Sequence, residues 1–348
     1  MRLRFLTSTP RDITRGSGTY VGISVLAEAL RGLGHTVDFE SLARHFPIYT
    51  AERLWFNHHL RSSGTHDVTI GYDMDGYRIA GSAPHVASLK GVIADEVRFE
   101  SGLTRLTMGV QARCERLHVE RAARVLVTSR YSGECAQRLY GLAQAPTVVP
   151  ETIDLTAWRR LLAAAPASIQ APRFTVLYVG RFYRRKRVNL LLEAAAQLRS
   201  AIPNLEVRIV GNGPCAGAWR KQAARLKLEN TVTWLGDISR IELAAEYNRA
   251  QVFCLPSVQE GFGIVLLEAM AAGKPIVAAR AAAIPEVVPH GTLVDAESAA
   301  ALAEGILNLY SSPETHVALA ALGLKWVEQF DASAVARRFV DAVRLGGG

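Results

Sequence analysis

The stretch VFCLPSVQEGFGIVLLEAMAAGKPIVAA, residues 252–279, reads as a strand, a glycine-flanked turn, a helix and a second strand. Its first apolar run is too short for a helix, the residues from about Ile264 onward favour one, and Gly273 with Pro275 stops it before the next β-rich run. A strand, helix and strand in so short a span are the unit of a parallel sheet, whose crossovers are helical. Ligands of such sheets gather at the carboxyl ends of the strands, where helix N-termini offer backbone N–H groups to anions. Glu260 lies just before this helix and Glu268 inside it, with no charged residue between them. They are either capping and surface groups or acceptors for the hydroxyls of a ligand.

The same alternation fills the rest of the chain. In the first half, LRFLTST (3–9) reads as a strand and YVGISVLAEALRGLG (20–34) as a helix closed by glycine, and TVDFESL, DVTIGYD, HVASL, RVLVTS and TVVP are further strands. The second half restarts with FTVLYVG, LEVRIVG and VTWLG ahead of the opening stretch. Between the halves, LLAAAPASIQAPR has no strand pattern and is expected to link them. The sequence therefore predicts an α/β protein of two Rossmann-like, doubly wound domains, residues 1–160 and 171–330, followed by a last helix over about 331–345.

The 348 residues are 49% hydrophobic and 21% charged, a composition that excludes extensive disorder and suits two domains. No apolar run approaches the roughly 20 residues needed to span a bilayer, and the apolar stretch before Pro10 is short for a signal peptide, so a cytoplasmic location is expected. Cys114, Cys135, Cys215 and Cys254 have no metal-ligand spacing and are expected to be free thiols. A net charge of +8 favours anionic partners. RFYRRKR, residues 181–187, concentrates basic residues directly after a strand. Arg181 and Lys186 there can aim a guanidinium fork and an ammonium at one diphosphate. The basic residues form no stripe interleaved with aromatics, which weighs against nucleic acid.

Two glycine turns offer close backbone approach. Gly16 and Gly18 follow the first strand, without the full spacing of a dinucleotide fingerprint. Gly211 and Gly213 end a later strand, where a plain turn and a ligand contact are both open. The segment LARHFPIYTAERLWFNHHLRS (42–62) mixes basic and large apolar residues and is either a core helix or one lying at a membrane surface.

The opening stretch resembles the E-x7-E signature of the family-4 retaining glycosyltransferases, which have the two-domain GT-B fold with domains facing across a donor and acceptor cleft. GSGTYVGISVLAEALRGLGHTV, RAARVLVTSRYSGECAQRLYG with VVPETIDLTAW, YVGRFYRRKRVNLLLEAAAQLR, and IPEVV with GTLVDAESAAALAEGI are similar to further family segments in the same order. The resemblance implies a sugar moved from a nucleotide-diphosphate sugar to a hydroxyl of a glycan, lipid-linked or small-molecule acceptor, in bacterial cell-surface polysaccharide or glycoconjugate synthesis. It implies that Arg181 and Lys186 neutralise the donor diphosphate, that Glu260 contacts the sugar, and that Glu268 binds the ribose. Phe262, Gly263, Ile264 and Val265 would support sugar or phosphate through the helix start, with Gly213, Gly16 and Gly18 nearby. No metal or other cofactor is expected, and a peripheral contact at the inner face of a membrane accompanies a lipid-linked acceptor. The last helix would cross back to the first domain.

The chain departs from the family pattern at two places. Lys90-Gly91 stands where a histidine is usual, so Lys90 replaces its contacts to the donor or the acceptor supplies them, and His85 is expected to be a packed strand residue. Glu151-Thr152 stands where Asn-Gly is common. A nucleotide-sugar epimerase or a phosphorylase on the same fold, and an anion- or nucleic-acid-binding protein, are the alternative readings.

Overall fold

The computed structural model describes residues 1–10, 18–42, 46, 48–62, 64–82, 84–166 and 173–344. Gly16 lies outside the described residues, as do residues 167–172 of the expected linker, whose first four residues are helical. The chain divides into two compact units, Met1–Thr152 with Phe330–Gly348, and Ile153–Gln329.

The first unit runs β1 (Arg2–Thr7), α1 (Thr19–Gly32), β2 (Thr36–Ser41), α2 (Tyr49–His59), β3 (Val68–Tyr72) and β4 (His85–Leu89). It continues through α3 (Ile93–Glu96), α4 (Gly102–Arg121), β5 (Arg124–Val127), α5 (Arg130–Tyr140) and β6 (Thr147–Val148). All six strands are parallel, in the order β2-β1-β3-β4-β5-β6. Neighbouring strand residues face opposite sides of a pleated sheet, and this divides the core into two layers. Val86 and Leu126 pack with Ile23, Leu26 and Leu30 of α1, whereas their neighbours Ala87 and Val127 pack with Val119, Ala136 and Tyr140. The α1 layer is completed by Val335, Ala336, Phe339, Val340 and Val343 of the last helix, and Phe339 meets Phe5 edge-on at 6.1 Å.

The second unit begins with α6 (Leu155–Ala164) and continues with β7 (Phe174–Val179), α7 (Val188–Leu198), β8 (Leu205–Val210), α8 (Ala216–Arg225), β9 (Val232–Gly236) and α9 (Arg240–Arg249). Then come β10 (Val252–Leu255), α10 (Ile264–Ala271), β11 (Ile276–Ala279), α11 (Ile284–Val287), β12 (Thr292–Val294), α12 (Ala299–Ser311) and α13 (Pro313–Trp326). After a 3-10 turn, α14 (Ala332–Val343) returns to the first unit. Its parallel sheet has the order β12-β11-β10-β7-β8-β9, so the opening stretch supplies the β10–α10–β11 crossover.

The units divide at Thr152 and Phe330, whereas the sequence places the first boundary near 160. The reason is α6, whose Trp158 is 1% exposed and stacks edge-on with Tyr247 of α9, 5.5 Å between ring centroids. A buried aromatic of that size binds its helix to the second unit. The strand β12 is missing from the sequence reading, being three half-buried residues at the sheet's edge.

Candidate functional site

At the carboxyl end of the second unit's sheet, β7 leads into Gly180 and the basic segment, which turns through a 3-10 helix at Arg184–Lys186. Arg187, at φ 49°, then opens α7. The loop leaving β8 passes so close to this segment that a Cβ on Gly211 would lie 2.1 Å from the Gly180 carbonyl oxygen. One on Gly213 would lie 2.7 Å from the Phe182 nitrogen. Gly213 therefore has a packing role of its own, the plain-turn reading, whatever it does towards a ligand.

The loop from β10 to α10 lies beside the same segment, fixed by the Val258 amide donating to the Arg185 carbonyl at 2.9 Å. This brings Lys186 and Glu260 together, Nζ to Oε1 2.5 Å, with side chains 14% and 10% exposed. Glycine-263 caps α10 at φ 94°, ψ 75°, and no side chain caps this helix. Helix geometry leaves the amides of Ile264 and Val265 without intrahelical acceptors, and their residues are only half-buried. The start of α10 thus has the features of an anion site beside two further cations. Arg181 follows β7 directly and its guanidinium lies 3.9 Å from Asp237.

Glu268 is held differently. Arg240 donates to its Oε1 and Tyr247 to its Oε2 at 3.3 Å. Its backbone carbonyl accepts from the Trp158 indole at 3.1 Å, and the Arg240 guanidinium lies 4.6 Å above that indole ring. Each glutamate therefore has its own cation, and they do not form a carboxylate pair sharing a proton. Burial, then the Glu268 charge, pushes the Tyr247 phenol well above its usual range, so it remains a donor.

In the first unit the strand ends are closed by internal bonds. Lys90 donates its amide to Asp73 and its ammonium to Glu151, each at 2.8 Å, and both members of the ion pair are nearly buried. Arg53 lies 3.8 Å from Asp73 and 3.5 Å from Asp75, and Asn57 donates to Asp75 at 2.9 Å. His85 is 1% exposed, as expected of a packed strand residue, with Nε2 2.8 Å from Nε2 of His118. The Asp73 carbonyl can only accept from His118 Nδ1, so the His85 Nε2–H donates to His118. Burial lowers His85 to about 3 and His118 to about 4, which keeps both rings neutral. Gly18 is exposed at the start of α1, and a Cβ there would meet nothing within 4 Å.

The sequence reading names Glu151 only as a departure from the family pattern and gives Arg240, Tyr247 and Trp158 no role. Arg240 and Tyr247 are seven residues apart on α9 and so share a face, but the carboxylate they meet lies 28 and 21 residues on. Among the described residues no group of acids, histidines and cysteines is arranged to hold a metal ion, and all four cysteines are free. No helix among them is long and apolar enough to cross a membrane.

Residues 164–326, nearly all of the second unit, match the model of glycosyl transferases group 1. The chain is 32% identical over 210 residues to a D-inositol 3-phosphate glycosyltransferase of Pseudarthrobacter chlorophenolicus, covering 57% of this chain and 50% of that one. It is 30% identical over 235 residues to a GDP-mannose-dependent alpha-(1-6)-phosphatidylinositol monomannoside mannosyltransferase of Mycobacterium tuberculosis, 63% of this chain and 61% of that one. The matches thus span about half of the curated relatives' length. In fold it is similar to sucrose-phosphate synthase from Thermosynechococcus elongatus, with a TM-score of 0.79, 22% identity, and 99% and 98% of the two chains covered. Residues 164–326 of the second unit thus carry the features of a group 1 glycosyltransferase domain, and the chain as a whole has the GT-B fold.

Proposed function

We propose that the protein transfers a sugar, with retention of anomeric configuration and without a metal, from a nucleotide-diphosphate sugar to an acceptor hydroxyl. One observation carries this reading: the α10 segment lines up the Lys186–Glu260 pair, an uncapped helix start and the Arg240–Glu268 cluster. A diphosphate at the α10 amides would draw Lys186 and Arg181 to itself, and Glu260, released from Lys186, would accept from the sugar hydroxyls. Glu268, its two oxygens oriented by Arg240 and Tyr247, would accept from the ribose.

As the glycosidic bond breaks, negative charge grows on the departing phosphate, where Lys186 and Arg181 neutralise it. The acceptor attacks on the face the nucleotide leaves, and the leaving phosphate oxygen takes the acceptor's proton, so no side-chain nucleophile is required. Lys90 is a proposed contact to the donor or acceptor, which requires its ammonium to exchange Glu151 for the ligand. Phe262, Gly16, Gly18 and Gly213 remain proposed donor contacts. The relatives' names, one of a D-inositol 3-phosphate and one of a phosphatidylinositol monomannoside enzyme, favour an inositol-based acceptor, free or lipid-linked. Cell-surface glycoconjugate synthesis at the cytoplasmic side is the setting proposed with it.

Thermal-shift titration with UDP-, GDP-, ADP- and TDP-sugars, followed by NMR of the product's anomeric proton, tests the reading. Stabilisation by at least one, abolished by Glu268→Gln, is expected, with the donor's configuration kept in the product. Turnover with inorganic phosphate and no nucleotide would instead select a phosphorylase.

A further inference from the structure

The helix α4 is inverted relative to an ordinary surface helix. Its buried face carries Gln111, Cys114, Glu115, His118 and Val119, three of them strongly polar. These polar groups are used inside the unit: Gln111 accepts from Arg53 at 3.0 Å, Glu115 accepts from the Ile93 amide at 2.8 Å and from Tyr140, and His118 meets His85. Its outer face carries Leu103 and Leu106, 69% and 71% exposed, with Val110 at 40% and Leu117 at 37%. Positions 103, 106, 110 and 117 fall on one stripe of a helix. No leucine or valine elsewhere in the chain exceeds Leu103 and Leu106 in exposure among the described residues.

The stripe is also basic. Arg113 completes it at the remaining helical position, Arg105 and Arg116 flank it, and all three are exposed. The one exposed acid of α4, Glu120, is bonded to Arg116 at 2.7 Å. Thr50 of α2 accepts from Gln111 at 2.6 Å and so sets the start of α2 against α4, where Ile48 and Tyr49 are 51% and 40% exposed.

We infer that the outer face of α4 docks on an anionic lipid surface, with Leu103, Leu106 and Val110 entering the interface and Arg105, Arg113 and Arg116 meeting the phosphates. A basic helix with an exposed apolar stripe suits that boundary, where leucines leave water and arginine stems carry their charge to the headgroups. A protein partner would have to desolvate Arg113 inside the apolar stripe, whereas a lipid surface leaves its guanidinium at the phosphate level. The stretch 42–62, the sequence's own possibility for a membrane helix, does not serve: α2 buries Glu52, Arg53, Phe56 and Asn57. The docking does not depend on sugar transfer, and its failure would leave the proposed reaction standing.

The test is flotation of the full chain with phosphatidylcholine vesicles, alone or with roughly one-third phosphatidylglycerol, at low and at about 0.5 M salt. Binding to the anionic vesicles, weakened by salt, is expected. Leu103→Asp with Leu106→Asp lowers the bound fraction at least about tenfold without moving the melting temperature, because both side chains already face solvent. Leu106→Trp gives a blue-shifted emission on adding anionic vesicles, a readout independent of the double variant. Absence of flotation at low salt, or flotation untouched by the double variant, overturns the inference. So does a concentration-dependent dimer that the double variant dissolves without any vesicle binding, since a second copy would then cover the stripe.

Discussion

Both units end their parallel strands in charged side chains, but they use them in opposite ways. In the first unit Lys90–Glu151, Arg53 with Asp73 and Asp75, and the His85–His118 pair meet one another away from solvent, although one Arg53 nitrogen, facing Asp73 and Asp75, makes no hydrogen bond. In the second, Lys186–Glu260 and Arg240–Glu268 stand at a helix start whose amides have no intrahelical acceptor, and Arg240 is 35% exposed. A closed network spends its charges on rigidity, whereas a half-open pair can exchange one partner for a ligand without leaving a charge bare. The first edge is the more closed and the second the more open to exchange, and Lys90 reaches a ligand only by giving up Glu151.

The largest effect should come from breaking the closed edge. Lys90→Met leaves Glu151 buried and unpaired, and destabilisation by about 3–5 kcal/mol is expected in calorimetry. Adding Glu151→Leu should recover most of that loss. In the second unit, Lys186→Ala should lower transfer by roughly 100- to 1000-fold, read as initial rates at saturating donor. Its melting temperature should move much less than that of Lys90→Met, and an equal shift would erase the contrast.

A smaller effect belongs to Arg240, which orients Glu268 without being expected to meet the diphosphate. Arg240→Ala should weaken nucleoside diphosphate binding about tenfold in calorimetric titration, with Arg240→Lys in between. Loss of affinity for the ribo- but not the 2′,3′-dideoxynucleotide would assign the effect to the ribose. The smallest effect concerns acid. The His85 and His118 pKa values are lowered by burial, so their contribution to stability is present above the unfolded value of 6.5 and is lost as pH falls below it. Asp73, raised to about 6 by burial, and Glu115, raised by burial and then by the Asp73 charge, oppose them, their contributions being held at low pH and lost as pH rises above the unfolded values of 3.8 and 4.5. Two acids thus offset two histidines, so urea midpoints should change little between pH 6.5 and 5, and His118→Gln, which removes one histidine contribution, should make them rise as pH falls.

What was legible in the sequence follows the range of the interaction. Eleven strands stand out, most because a parallel strand buried on both faces is a continuous apolar run, and β2 and β6, more exposed at the sheet's edges, through their β-branched residues; the three-residue β12 escapes. Arg181, Lys186, Glu260 and Glu268 are legible because each follows a strand end or helix start that the local pattern marks. Their partners are not, since Lys90 meets Glu151 across 61 residues and no periodicity encodes that pairing. The helix α4 has no reading in the sequence, and that of α2 stays open between core and membrane surface, for a related reason. Apolar periodicity presumes an oily interior, and this unit packs a polar network beneath both.

The return of α14 to the first unit also dictates an order of assembly. A ribosome delivers residues 153–329 after the first six strands but before Val335, Phe339 and Val343 exist to cover Phe5 and Leu30. The later half can close its sheet from contiguous chain, while the earlier half waits, one layer uncovered, for the last helix to arrive. For this protein, the part made first is the part finished last.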